Sequence, residues 1–135
     1  MIRTLCCWAL ALFFAFAGVM HFVAVEAFAA IVPPGLPYPE TIVRVTGAME
    51  LVFAAGLVWP RWRARTGWAL ALFLLCVLPA NIHMAVAEMP LGKIKTDKTL
   101  LWVRVALQFP FIAFILWATR SFGTRKLGTL RDCRS

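Results

Sequence analysis

The chain has 135 residues, 62% of them apolar, with a mean hydropathy of +0.82 and a formal net charge of +8. A soluble domain is about half apolar, and a chain this short cannot bury the surplus, so a water-soluble globule is excluded. The basic residues stand between and after apolar runs rather than among stacking aromatics, which argues against nucleic acid as a partner and for anionic lipid headgroups.

Four apolar runs follow in order. The first covers 5–25 and holds His21 as its one strongly polar residue. Arg3, this run and Ala27-Phe28-Ala29 imitate a cleavable signal peptide, but the run is longer than a signal core and ends in a histidine, so it reads as a retained span. Next, Pro33, Pro34, Pro37 and Pro39 forbid helix and predict a semi-rigid loop at the membrane surface. The second run, 41–59, contains Arg44, Thr46 and Glu50, and Pro60 closes it. Arg61, Arg63 and Arg65 fill the turn that follows. The third run, 67–87, contains Asn81 and His83; a polar loop over 88–99 leads to the fourth, 100–118, with Arg104 and Gln108. Residues 119–135 form a basic tail.

Each run has about the 20 residues needed to cross a hydrocarbon core as a helix, the form that pairs every backbone amide within its own segment. The expected fold is therefore all-α, a membrane-embedded four-helix bundle spanning 1–118. Arg3, the arginines of the second loop and the basic tail fall on one side, whereas the first loop has no Lys or Arg. The positive-inside rule puts both termini in the cytoplasm. Trp8, Trp59, Trp62, Trp68, Trp102 and Trp117 lie near span ends, as an aromatic belt requires.

Ionisable side chains inside spans cost about 2.5–3.5 kcal/mol each near a helix centre, so they ask for a reason. His21, Glu50, Asn81, His83, Arg104 and Gln108 come from all four helices, yet helix direction puts them all about 3–14 Å below the outer surface. The inner half is nearly free of polar side chains. Arg44 and Glu50 are six residues apart, about 240° around the axis, and cannot pair locally. Glu50 instead shares a strip with Thr46, Gly47 and Ala54 and is expected to face the bundle interior, with Arg104 across the bundle as its partner. Pro79 and Pro110 should kink their helices and free the carbonyls of Leu75 and Ala106. Interhelical glue, a quinone or other ligand pocket, and an ion or proton path are the competing readings of this layer.

Other chemistries lack their residues. Cys6, Cys7, Cys76 and Cys133 include no C-x-x-C and none faces the outer side, which argues against a disulfide-generating quinone reductase. His21 and His83 have no supporting haem motif, and ligands at zinc or copper spacing are missing. No phosphate loop, H-E-x-x-H or nucleophile triad is present, so no catalytic residue and no metal is assigned.

Several short pieces occur together: Gly18-x-x-His21-Phe22, the loop from Ile31 to Pro39, Thr46-Gly47-x-x-Glu50-Leu51, Gly56-Leu57-x-x-Pro60-x-x-Arg63, Pro79-Ala80-Asn81-Ile82-His83-Met84 and Arg104-x-x-x-Gln108. In this order they resemble the DoxX family of small bacterial membrane proteins. The resemblance implies a multi-pass protein of the bacterial inner membrane. It also implies an accessory or quinone-contacting subunit of a membrane oxidoreductase rather than an enzyme on its own. A membrane scaffold or assembly factor is the alternative, and a small-solute or proton transporter a third. The family's fourth-helix motif places a proline between Arg and Gln, whereas this chain delays it to Pro110.

Overall fold

The computed structural model describes residues 1–89 and 97–120. Lys93, Lys95 and the basic tail from 121 onward, with Cys133, lie outside the described residues.

The chain folds into helices α1 (Ile2–Val23), α2 (Val25–Ala29), α3 (Pro39–Val58), α4 (Arg63–Val86) and α5 (Lys98–Ala118). All but α2 are long and apolar enough to cross a membrane, with lengths of 22, 20, 24 and 21 residues, or about 30–36 Å. Only 28% of each apolar window is buried within the chain, so most of every span's surface is left for lipid. The protein is a multi-pass membrane bundle.

Local chemistry sets the helix ends. Ala24 leaves helical geometry (φ −120°, ψ 41°), which stops α1 and lets α2 start afresh. Tyr38 sits in the left-handed region at φ 55°, and Pro39 follows at the first helical position of α3, where its fixed φ suits a helix start and its missing N–H costs nothing. At the other end, Pro60 holds Trp59 extended (ψ 111°) and stops α3. The Arg63 side chain then donates from Nε to the Leu57 carbonyl at 2.8 Å and from Nη2 to the Val58 carbonyl at 3.3 Å. It thereby satisfies acceptors that the helix end leaves open. This arginine also starts α4, four residues before the apolar run begins. Glu88, at φ 52°, ends α4 as the Met89 N–H turns back to the Met84 carbonyl, and its carboxylate meets Lys98 Nζ at 2.7 Å at the start of α5.

Around the bundle the order is α1, α3, α4, α5, with α1 packed most extensively on α3 and α4 on α5. The α3–α4 and α1–α5 seams are slighter, and α1/α4 and α3/α5 stand on the diagonals. Toward the basic end, Cys7, Leu10, Phe14, Ala54, Leu57, Leu70 and Ile115 form a buried core drawn from all four long helices. A second core, Met84, Ala85, Leu101 and Val105, joins α4 and α5 toward the other end, with Ile31 packed against it. All six tryptophans are exposed. At the basic end Arg3 stacks over Trp117 and Arg65 over Trp62, with guanidinium carbons 5.1 and 5.2 Å from the ring centres.

Candidate functional site

The polar layer begins where α1 crosses α3. Gly18 and Gly47 let the two backbones touch: a Cβ on Gly47 would sit 2.6 Å from the Cβ of His21, and one on Gly18 would sit 2.9 Å from the Gly47 carbonyl oxygen. Small residues on both helices permit this approach, which lipid-embedded helices favour because packing and not water drives their association. Glu50 lies one turn beyond Gly47 on the buried strip Val43, Gly47, Glu50, Ala54 and Leu57. The close approach brings His21 Nδ1 to 3.3 Å from Glu50 Oε2.

His21 is held on three sides. Nδ1 lies 2.9 Å from the Ala17 carbonyl, and the ring of Phe28, carried on α2, stacks on the imidazole at 4.2 Å and 18°. With a carbonyl and a carboxylate oxygen both facing Nδ1, the proton belongs on that nitrogen. Glu50 Oε2 is buried, and its one approach is this 3.3 Å contact to Nδ1, which lies closer to the Ala17 carbonyl, so Oε2 has no well-formed hydrogen bond among the described residues. A buried acceptor left in this state is costly, and it is the one such side-chain atom among the described residues.

A second unit lies between α4 and α5. Asn81 Nδ2 donates to Gln108 Oε1 at 2.9 Å, and Gln108 Nε2 donates to the Leu74 carbonyl. The carbonyl used is thus one residue before Leu75, the one deprived of its usual donor by Pro79. His83 Nδ1 pairs with the Ile31 carbonyl at 3.2 Å and ties the end of α4 to the proline-rich loop.

The expected Glu50–Arg104 pair does not form. Their helices stand on a diagonal of the bundle, and Glu50 faces α1 instead. Arg104 is exposed on α5, and its nearest polar contact is Nη1 to Met84 Sδ at 3.9 Å. Arg44 is exposed as well and meets Glu40, one turn earlier, at 3.6 Å. His21 and His83 also sit on diagonal helices, so they do not face one another as two axial ligands would. Among the described residues no three His, Cys, Asp or Glu side chains come together.

Three of the expected polar residues lie near one level along the helices, in two seams and farther from the helix starts than the sequence suggests. On α1 and α5, Cys7 donates its thiol to the Ala118 carbonyl at 3.4 Å and Phe14 stacks on Phe111. Counting onward along the antiparallel pair puts Gln108 level with Ala17, the residue that receives His21. Glu50 is 11 residues from the start of α3 and Gln108 is 10 from the start of α5, about 15–17 Å along each axis. The difference arises because both helices begin two residues early and α2 adds a layer above His21.

The His21–Glu50 contact was missed by sequence reasoning, although Gly18-x-x-His21 and Gly47-x-x-Glu50 carry a signal. Each puts a polar residue one turn from a glycine on the same helix face. A family model described as a domain of unknown function, DUF8561, matches residues 10–121. The chain belongs to the DUF8561 family. The match runs from the middle of α1 past the end of α5, so it takes in both polar units of this DUF8561 bundle. No curated protein and no solved structure matches it.

Proposed function

We propose that this protein is an accessory subunit of a bacterial inner-membrane oxidoreductase, similar in role to DoxX-like proteins, and that His21 and Glu50 are its contact with a quinone. The observation that carries this reading is the buried Glu50 Oε2, whose one polar neighbour among the described residues is His21 Nδ1 at 3.3 Å and which has no well-formed hydrogen bond. A quinol hydroxyl is a donor of the kind this oxygen lacks, so the donor set fits the reduced form of the group. Asn81 and Gln108 do not fit as ligand contacts, since their facing groups are spent on one another and on Leu74. They hold α4 against α5. A bound quinone would supply two-electron chemistry there. The chain's own part is to place a carboxylate and an imidazole side by side, so that Glu50 Oε2 can accept the hydroxyl proton of a bound quinol while His21 holds the carboxylate in place.

The test is gentle purification from native membranes with extraction of bound quinone, for the wild type and for Glu50→Gln. The expected result is a co-purifying quinone and oxidoreductase subunits, with quinone occupancy reduced several-fold in the variant. Equal quinone in both, or none in either, would overturn the reading.

The satisfied Asn81–Gln108 and His83–Ile31 contacts favour a second reading, a scaffold with no ligand. It would bind its complex through outward faces such as Leu5, Leu12, Phe16 and Val23 of α1, all exposed. In that case substitutions on this face would release the partner, and Glu50→Gln would not.

A further inference from the structure

The basic end of the bundle carries a feature that the polar layer does not explain. A cleft of about 320 Å³ opens where the start of α1, the α3–α4 turn and the end of α5 meet, and its walls include Ile2, Arg3, Pro60, Arg63, Ala118 and Arg120. Among the described residues no acidic side chain lines it. Three arginines from three separate parts of the chain therefore surround one space with no counter-charge among the described residues.

Two of them are fixed in advance. Arg63 is anchored through Nε and Nη2 to the Leu57 and Val58 carbonyls, and neither of these bonds uses Nη1. Arg3 is held over the Trp117 ring. Arg120 follows Thr119 in the left-handed region, at φ 58°. The α1 terminus beside them has no side-chain cap and no acidic residue in its first turn, so the positive end of its dipole is also uncompensated.

We infer that this cleft binds the phosphodiester of an anionic phospholipid. Arginine forks and open helix N–H groups are the donors a phosphate oxygen takes. Depth selects a lipid over a soluble phosphate. Trp117 and Trp59 are exposed at this end of the helices, where indoles mark the headgroup level, and Ile2, Pro60 and Ala118 add apolar walls to the cleft. A lipid held here would tie α1, α5 and the α3–α4 turn together.

Native mass spectrometry of the full chain in micelles holding equal phosphatidylglycerol and phosphatidylcholine tests this. The comparison is wild type, Arg3→Gln/Arg120→Gln and Arg3→Lys/Arg120→Lys; Arg63 is left alone because it caps α3. Wild type should retain phosphatidylglycerol in preference, and the Gln pair should lose about 30-fold of that preference, as removal of two basic contacts predicts. The Lys pair should keep part of it. Raising NaCl from 50 to 500 mM should weaken the wild-type preference, a readout that needs no variant. Equal retention of the two lipids by wild type, or a preference unchanged in the Gln pair, would overturn the assignment. Displacement of the lipid by millimolar inorganic phosphate would show instead a site for free phosphate.

Discussion

Replacing Gly47 with alanine tests whether the α1–α3 crossing builds the polar layer. The added Cβ would lie 2.6 Å from the Cβ of His21. Carbon atoms rest at about 3.5–4.0 Å, so the helices must part by about 1 Å. The opposing atom belongs to the first carbon of a side chain on another helix and cannot swing away. Overpacking of this kind costs about 1–3 kcal/mol, and the better helix propensity of alanine returns at most about 1. The expected net loss is about 1–2 kcal/mol, read as reversible unfolding in mixed micelles, with the His21–Glu50 distance opening beyond 3.3 Å. Gly35→Ala is the control, since a Cβ there meets nothing within 4 Å. The reasoning fails if Gly47→Ala is as stable as the control and cysteine pairs placed across α1 and α3 still crosslink at the wild-type rate.

Further outcomes follow from the same contacts. A double-mutant cycle on His21 and Glu50 should give a coupling of about 1 kcal/mol, whereas one on Glu50 and Arg104 should be near zero; the reverse order would restore the pairing expected from sequence. Gln108→Ala should cost about 1–2 kcal/mol, roughly twice Asn81→Ala, because Gln108 makes two interhelical bonds and Asn81 one. Equal losses would show that the Leu74 bond contributes nothing. Arg63→Ala should raise hydrogen exchange at the α3–α4 turn and cost about 1 kcal/mol by leaving two helix-end carbonyls uncapped. His83→Ala should speed proteolysis in the loop after Ile31 with under about 1 kcal/mol lost from the bundle, and an unchanged cleavage rate would remove the tether.

The spans were legible because lipid imposes one rule on them all: about 20 apolar residues, helical, closed by proline or charge. Glu50 was also placed correctly on the buried face from its small neighbours Gly47 and Ala54. Partner choice was not legible. Opposite charge suggested Arg104, but charge does not say which helices adjoin, and ring order depends on loop geometry and packing. The early start of α4 was hidden because Arg63, read as a turn residue, spends its guanidinium on the carbonyls of α3. The break at Ala24 has no marker either, since Val23-Ala24-Val25 is apolar throughout.

Because the most extensive seams join α1 to α3 and α4 to α5, each polar unit belongs to consecutive membrane-spanning segments. During synthesis the carboxylate of Glu50 therefore reaches the bilayer when the imidazole that will face it is already in place, and Gln108 arrives after Asn81. Neither group has to wait in lipid for a segment made later, so biogenesis can proceed as two helical hairpins that dock through their apolar halves.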